Sequence, residues 1–196
     1  MDDGLQNPSL QKDFTIAVVD GSRGIGNGKV FPAGPLRAPL AAQFERINAL
    51  LVIGGSAGAA GLDAQIRARR LPVFHGELEP DLAAIEALRG HRVLAFAAIG
   101  NPDKFFATLA AAGINVATHR AFPDHHRFTG EEAGDLVMQA EREGLRLVTT
   151  AKDHARMGGD PNLAALASRA YVLPVRLKVK EEAAWRDVIL RALSSV

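Results

Sequence analysis

RVLAFAAIGNPDKFFATLAAAGINVATHRA, residues 92–121, holds one complete strand–helix–strand unit and decides the fold class. The apolar run at 92–99 is typical of a strand that is covered on both faces. Asn101 is a predicted N-cap with Pro102 at the first helical position, and the helix ends at Gly113. The extended stretch that follows predicts a second strand, parallel to the first and reached by a right-handed crossover.

The same alternation of strands and helices continues on both sides of this unit. Thr129 and Glu132 match a capping box, and the helix that they begin ends at Gly144. The segments together predict a three-layer α/β/α fold with a mainly parallel sheet, in which sites lie beyond the carboxyl ends of the strands. Further strands are expected at 14–19, 49–53, 71–74, 145–150 and 170–177, and further helices at 40–48, 81–89, 151–157, 161–168 and 181–193.

A domain boundary is predicted near residues 86–91, beyond which turn and cap residues separate strands and helices at regular intervals. This boundary divides the chain into 1–88 and 89–196. The covered strand at 14–19 needs a neighbour on each side, and only later segments are available to supply them. We therefore expect the chain to begin in mid-domain.

Composition excludes several classes of protein. The 196 residues include 23 Lys and Arg against 22 Asp and Glu, a net charge of +1, which disfavours a general nucleic-acid binder. The absence of cysteine excludes disulfides, thiolate zinc sites and cysteine nucleophiles. No stretch approaches the roughly 18 apolar residues of a membrane span, and the acidic start does not resemble a signal peptide. A cytoplasmic location is expected.

The glycine-rich segment 21–29 looks like a phosphate-binding loop but lacks its spacing. A Walker loop would need glycine at position 23 and serine or threonine at position 30, where the sequence has Arg23 and Val30. The dinucleotide pattern also fails, because Lys29 stands where its third glycine would be. A tight loop near a ligand and a purely structural turn are both open interpretations, and the small-residue loop at 54–61 predicts only a turn.

A loop after a predicted strand carries the residues best suited to catalysis. It has two consecutive imidazoles, His125 and His126, beside the carboxylate of Asp124. A histidine can act as a general base near neutral pH when a carboxylate orients it. The segment 149–153 closes the next strand, so Lys152 and two threonines should share a sheet edge with the histidines and are suited to phosphate. The alternative is a packed loop with structural histidines.

Asp2 and Asp3 are adjacent carboxylates that precede a glycine. Such a pair is suited to a hard cation such as magnesium, held directly by oxygen or through water. The alternative is a solvated acidic terminus.

Five motifs, in order, resemble one family, the tetraacyldisaccharide 4'-kinases of lipid A biosynthesis. They are spread over nearly the whole chain, and five ordered motifs are far more specific than any one of them. The resemblance implies a P-loop kinase domain, of which 1–88 would be the remainder, followed by a smaller α/β domain at 89–196. The motifs are DDGLQ at 2–6, GNGKVFPAGPLR at 26–37, IGNPDKFF at 99–106, FPDHHRF at 122–128 and TTAKD at 149–153.

The resemblance also implies an activity and a location. Members of the family transfer the γ-phosphate of ATP to the 4'-hydroxyl of a disaccharide lipid, with Mg²⁺, at the cytoplasmic face of the bacterial inner membrane. This chain would then bind that surface peripherally, and no partner protein is indicated. The roles implied are magnesium at Asp2 and Asp3, nucleotide at Gln6, substrate phosphate at Asn27, Arg37 and Lys152, and activation of the acceptor hydroxyl at His125 with Asp124.

Two departures from the family pattern change the expectation. Ala38 follows Arg37 where the family usually has glutamate. The family's Walker loop and the aspartate that partners its histidine lie before the acidic pair, so the 196 residues alone are expected to be inactive.

Two alternative functions stay open. One is a non-catalytic remnant or lipid-binding module, and the other is a DHH-type metal phosphoesterase, because Asp124, His125 and His126 match that signature.

Overall fold

The computed structural model describes residues 4–55 and 57–194. Contacts between residues divide the chain into two compact units. The first unit consists of the chain up to Glu79 together with the part from Leu177 onward, and the second unit is Pro80–Arg176.

This division differs from the predicted one at 88 and 89. The helix that begins after Asp81 packs in the second unit, whereas the last strand and helix of the chain return to the first unit. A boundary predicted from the turn and cap residues along the chain cannot reveal such a return. The assignment of 1–88 and 89–196 to a kinase domain and its companion stays a prediction.

Strands and helices alternate along the described residues, which confirms the predicted α/β class. A short 3-10 helix, Pro161–Leu163, precedes α7. In chain order the elements are β1 (Ile16–Asp20), α1 (Leu40–Phe44), β2 (Ala49–Ile53), α2 (Ala60–Ala68), β3 (Val73–Pro80), α3 (Leu82–Leu88), β4 (Arg92–Ala97), α4 (Pro102–Ala111), β5 (Asn115–Ala121), α5 (Gly130–Glu143), β6 (Arg146–Thr150), α6 (Ala151–Met157), α7 (Ala164–Arg169), β7 (Tyr171–Leu173), β8 (Val175–Val179) and α8 (Glu182–Ser194).

The sheet of the first unit has the strand order β1-β2-β3-β8, and β1, β2 and β3 pair in parallel. On one face, Phe44 of α1 and Leu62 and Ile66 of α2 join a core of eight buried residues. On the other face, Trp185 of α8 packs edge to face on Phe74, with ring centroids 5.0 Å apart. Helices therefore lie on both faces of the sheet, as a three-layer arrangement requires.

The sheet of the second unit has the order β5-β4-β6-β7, and all its pairs are parallel. The central strand β4 is covered on both faces, as its apolar run predicts. Leu94 and Phe96 belong to one core and Val93 and Ala95 to the other. This alternation is the two-residue period of a strand, here with apolar residues on both sides.

The predicted helix caps are confirmed at the residue level. The Asn101 side chain accepts a hydrogen bond from the backbone N–H of Lys104 at the start of α4. At the start of α5, Thr129 and Glu132 form both hydrogen bonds of a capping box, and Gly144 ends this helix with a φ of 62°. Caps depend on neighbours in sequence, which is why the sequence reveals them so well.

The prediction of one strand at 170–177 is wrong. Pro174 separates β7, in the sheet of the second unit, from β8, in the sheet of the first unit. Proline has no N–H to donate to a strand partner, so it ends the pairing of β7. Its carbonyl is used, since it accepts a hydrogen bond from the backbone N–H of Asp81.

Three ion pairs follow β3 and β8 on one exposed side. The partners lie at alternate positions, because side chains of a strand alternate between its two faces. Exposed pairs of this kind contribute little to stability. They join Glu77 to Lys180 at 3.0 Å, Glu79 to Lys178 at 2.9 Å and Asp81 to Arg176 at 3.5 Å.

Candidate active site

The ends of three parallel strands place the histidine loop and the TTAKD motif at one edge of the second unit's sheet. β4 is central, with β5 on one side and β6 on the other. The loop 122–128 follows β5, and the TTAKD motif begins within β6 and continues into α6. The predicted meeting of these two motifs at a shared sheet edge is confirmed.

Asp153 is a buried acidic residue at this edge. Its side chain has no exposed surface. One carboxylate oxygen, Oδ2, accepts hydrogen bonds from the backbone N–H of Ala98 at 3.1 Å and from the hydroxyl of Thr150 at 2.8 Å. The other oxygen, Oδ1, lies 3.0 Å from Nη1 of Arg156. A buried carboxylate needs such partners, and both of its oxygens have them.

Arg156 connects the buried carboxylate to the histidine loop. Its Nη1 donates to the backbone carbonyl of Ala98 at 2.8 Å as well as to Asp153. Its Nη2 lies 3.0 Å from Nδ1 of His125. Two acceptors on Nη1 fix the plane of the guanidinium, because its donors form a rigid fork.

His125 is held by its backbone in an unusual conformation. Its φ is 59°, in the left-handed region that a residue with a side chain rarely adopts. The backbone N–H donates to the carbonyl of Ala98 at 3.1 Å, and the imidazole is 79% exposed. Oδ2 of Asp124 lies 3.8 Å from Nε2. Positive φ values at residues with side chains cluster at functional sites.

The neighbouring histidine has a structural role. His126 stacks on Phe122 with ring centroids 5.4 Å apart, and its Nε2 lies 2.9 Å from a carboxylate oxygen of Glu132. The hydrogen bond from His126, with a second from the backbone N–H of Thr129, holds the pKa of Glu132 below its ordinary value. The two imidazoles therefore separate, and only His125 joins Asp153 and Arg156.

The remaining residues of the TTAKD motif have different surroundings. Thr149 is fully buried and its hydroxyl donates to the carbonyl of Phe96 at 2.9 Å, which is a contact within the sheet. Thr150 caps α6 by accepting the N–H of Asp153. Lys152 is exposed and takes no part in these hydrogen bonds, so its predicted phosphate contact stays a prediction.

Two predicted site residues of the first unit, Gln6 and Arg37, line one groove of about 1340 Å³. Nε2 of Gln6 lies 3.4 Å from Oε1 of Gln43, and Nε2 of Gln43 donates to the carbonyl of Ala38 at 2.7 Å. Ala38 thus contributes its backbone carbonyl to this chain of contacts. Val18 and its neighbours in β1 form another wall of the groove.

Asn27 uses both ends of its amide to close its own loop. Its Nδ2 donates to the carbonyl of Ala33 at 2.8 Å, and its Oδ1 accepts the backbone N–H of Lys29 at 3.1 Å. Gly34 leaves room for this amide, since a Cβ there would lie 2.1 Å from Oδ1 of Asn27. The structure therefore gives Asn27 a role in shaping the loop, and its predicted phosphate contact stays a prediction.

The two glycine loops of the first unit touch backbone to backbone. A Cβ on Gly21 would lie 1.7 Å from the carbonyl oxygen of Gly55, and one on Gly24 would lie 1.9 Å from that of Gly58. The N–H of Gly58 donates to the carbonyl of Gly21 at 2.9 Å. This close approach explains why glycine stands at these positions, since any side chain there would overlap the other loop. The interpretation of 54–61 as a turn alone is wrong at its end, where Ala60 begins α2.

Asp2 and Asp3, the predicted magnesium ligands, lie outside the described residues. Within residues 4–55 and 57–194, no group of three or more His, Asp or Glu side chains is placed to hold a metal ion. No helix among these residues is both long enough and apolar enough to cross a bilayer.

The family model described as tetraacyldisaccharide-1-P 4'-kinase matches residues 1–194. The chain belongs to this family. A tetraacyldisaccharide 4'-kinase of Rhodopseudomonas palustris strain BisA53 is 51% identical over 195 residues, which is 100% of this chain and 57% of the relative. One from Nitrobacter winogradskyi is 46% identical over 196 residues, 58% of its length. The chain thus spans little more than half of these curated relatives.

A solved structure of the same family has a similar fold. The crystal structure of LpxK from Aquifex aeolicus in complex with ATP has a TM-score of 0.63 to this chain, at 24% identity. The match covers 97% of this chain and 56% of the Aquifex protein. At this identity the likeness concerns the fold, and it confirms the predicted α/β class with mainly parallel sheets.

Sequence reasoning missed two members of the site, Asp153 and Arg156. Asp153 stands in the quoted TTAKD motif, but an acidic residue in the first turn of a helix is also an ordinary choice for that position. Arg156 lies three residues later, one helical turn away, so both side chains share a face of α6. That spacing was the available signal. The burial of Asp153 and the reach of Arg156 to His125 were not readable from the motif.

Proposed function

We propose that this chain is part of a lipid A 4'-kinase, which transfers the γ-phosphate of ATP to the 4'-hydroxyl of a tetraacyldisaccharide 1-phosphate. The observation that carries the proposal is the family match over residues 1–194, which includes all five motifs. Because the chain spans 57% of a relative 51% identical to it, the activity is proposed for a protein of the relative's full length. The 196 residues alone are expected to be inactive.

The second unit is proposed to supply the acceptor side of the reaction. Phosphoryl transfer needs mainly positioning of the reactants and neutralisation of charge. The exposed imidazole of His125, with Asp124 beside it, is proposed to contact the acceptor hydroxyl. Lys152 follows a neighbouring strand at the same sheet edge and is proposed to meet phosphate. The support for these roles is the shared edge and the exposure of His125.

The first unit is proposed to bind the nucleotide and the phosphates. Gln6 and Arg37 share one groove, and Arg37 is suited to phosphate because its guanidinium presents several donors. Asn27 is proposed to support this role by shaping the loop that precedes Arg37. A magnesium ion held by Asp2 and Asp3 would neutralise phosphate charge during transfer. The acceptor is a lipid, so the enzyme is proposed to act peripherally at the cytoplasmic face of the inner membrane.

A hybrid protein tests the proposal. The part of the Rhodopseudomonas palustris BisA53 relative that this chain does not match would be fused to the 196 residues, and the chain alone would be assayed in parallel. Product formation from ATP, Mg²⁺ and tetraacyldisaccharide 1-phosphate is expected from the hybrid and not from the chain alone. His125→Gln in the hybrid should lower kcat by about 10²-fold or more, as expected when a group that positions the reacting hydroxyl is lost.

The same assays separate the alternatives. Turnover by the chain alone would refute its expected inactivity. An inactive hybrid, together with lipid binding by the chain, would favour the binding-module interpretation. Manganese-dependent phosphodiesterase activity that is lost in Asp124→Asn would favour the phosphoesterase. The engagement of His126 with Glu132 and Phe122 speaks against that last function, because the three side chains of the signature do not converge.

A further inference from the structure

We propose that Arg156, anchored by buried Asp153, is a positioning residue that holds the His125 imidazole with its proton on Nε2. The ring then presents an N–H donor to solvent and to any ligand at the sheet edge. This inference rests on the proposed function only for its catalytic consequence. The tautomer itself is a property of the 196-residue chain.

The first step of the argument is the anchoring of Arg156. Its Nη1 has two acceptors at hydrogen-bond distance, the buried carboxylate of Asp153 and the carbonyl of Ala98. Asp153 is fixed in turn by the backbone N–H of Ala98 and by Thr150. The guanidinium is planar, so fixing one nitrogen at two points also fixes the direction of Nη2.

The second step concerns the hydrogen bond between Nη2 and His125. A guanidinium has five donors and no acceptor. Nδ1 of His125, 3.0 Å from Nη2, must therefore be the acceptor and carry no proton. A neutral imidazole has one N–H, so that proton is on Nε2.

The third step is that the carbonyl of Ala98, which accepts from Arg156, also positions the backbone of His125. The Ala98 carbonyl accepts both Nη1 of Arg156 and the backbone N–H of His125. The backbone of His125 is left-handed, with a φ of 59°. The Ala98 carbonyl oxygen therefore holds both this backbone and the guanidinium that faces the His125 ring. Ring and backbone are held together although the imidazole is 79% exposed.

The chemical consequence revises the role given to His125. A ring with Nδ1 occupied and Nε2 protonated has no free nitrogen to remove a proton. His125 then acts as a donor through Nε2, toward an anionic oxygen such as a carboxylate or a phosphate. Oδ2 of Asp124, 3.8 Å from Nε2, is a carboxylate oxygen on that side of the ring.

The tautomer can be measured by NMR of the 196-residue chain with ¹⁵N-labelled histidine. Correlations between ring nitrogens and carbon-bound protons distinguish the two neutral tautomers. At about pH 8, above the ordinary histidine pKa of about 6.5, wild-type His125 should show the pattern of the Nε2–H form. Arg156→Met should shift both ring nitrogens toward those of a free histidine. His125→Gln assigns the signals.

Matched controls keep this experiment decisive. Arg127→Met changes an exposed arginine of the same loop and should leave the His125 pattern unchanged. His126 is an internal control, since its ring contacts Glu132 and should not respond to Arg156→Met. If Arg156→Met does not fold, Arg156→Lys gives a second test, because an ammonium lacks the fork and should fix the ring less. An averaged pattern in wild type, or an Nδ1–H pattern, would overturn the proposal.

A kinetic measurement on the hybrid tests the catalytic consequence separately. Arg156→Met should lower kcat by about 10²-fold, the effect of misplacing a reacting group by about 1 Å, with the KM for ATP unchanged. In a His125→Gln background, the same change should have no further effect on kcat. Additive losses would show that Arg156 acts on something other than His125. An inactive hybrid would count against the proposed function and leave the NMR result in force.

Discussion

The two units of the chain are nearly equal in length, but they bury their apolar residues very differently. Among the described residues, the second unit has two cores of twelve and eleven buried residues, one on each face of its sheet. The first unit has cores of eight and three. Its outer strand β1 exposes 59% of Val18. Among the described residues the second unit thus has the larger buried core, whereas in the first unit a side chain of β1 and the groove beside it are exposed.

The largest expected effect tests the independence of the second unit. Phe96 is fully buried beside Phe128, with ring centroids 5.6 Å apart. Phe96→Ala should cost about 3–5 kcal/mol, as for other buried aromatic truncations. Hydrogen exchange should increase in β4 and β6 and remain unchanged in β2. Phe31→Ala, at a ring that is 79% exposed, is the control and should change neither. Equal loss of protection in β2 and β4 would show that the units unfold as one.

The next effect is expected in the first unit, where two glycine loops touch. Gly21→Ala places a methyl group against the carbonyl of Gly55 and should cost at least about 1–3 kcal/mol, as overpacking does. Gly61→Ala is the matched control, because a Cβ there meets open space within α2 and should stabilise the helix by about 0.5–1 kcal/mol. Urea denaturation of both variants measures the difference. Equal stabilities would contradict the loop contact.

A smaller effect is expected at the start of α5, and it depends on pH. Thr129→Ala removes the cap and should cost about 1 kcal/mol at any pH. Glu132→Gln retains the capping box but loses the charge that faces His126. The folded-state pKa of Glu132 is lowered, so its charge stabilises the fold above the unfolded pKa of about 4.3. This stabilisation is lost as pH falls through the folded pKa.

Urea denaturation at several pH values distinguishes the two variants. The stability difference between wild type and Glu132→Gln should be present at pH 7 and shrink in acid, whereas the Thr129→Ala difference should persist. A Glu132→Gln difference that is as large in acid as at pH 7 would contradict the hydrogen bonds that hold the pKa of Glu132 low.

The smallest effect on stability is expected at the open edge of β1. Val18→Lys changes an exposed side chain and should alter stability by no more than about 0.5 kcal/mol. Exposed apolar edge strands favour pairing between molecules, and lysine opposes it. Sedimentation velocity should therefore show less self-association in Val18→Lys than in wild type. Tyr171→Lys, at a 41% exposed residue of the second unit's outer strand β7, is the comparison. Unchanged association in Val18→Lys would contradict the open edge.

Local chemistry was the part of the fold that the sequence predicted best. The caps at Asn101 and at Thr129 with Glu132 lie where predicted, because their partners are three residues away. The strand at 92–99 was predictable because a strand covered on both faces is apolar throughout. The break at Pro174 was not, since it depends on which sheet each half of the segment joins.

The candidate site was predictable in its location and not in its connections. Parallel strands end at one edge, so the histidine loop and the TTAKD motif could be placed at the same edge because each follows a predicted parallel strand. The link from Asp153 through Arg156 to His125 depends on side-chain reach across that edge. Likewise, two adjacent imidazoles look alike in sequence, and only the positions of Glu132 and Phe122 separate His126 from His125.

The ion pairs along β3 and β8 contribute little to stability, but they restrict how β8 can pair with β3. The acidic partners lie in β3 or directly after it and the basic partners in β8 or directly after it, at every second position. A slip of β8 by two residues would still bring opposite charges together, whereas a slip by one would present Leu177 and Val179 on the charged side. The charges therefore encode which side of β8 faces outward and do not encode its register. The register is set instead by packing, because Leu177 lies over Gly76, where a side chain would not fit.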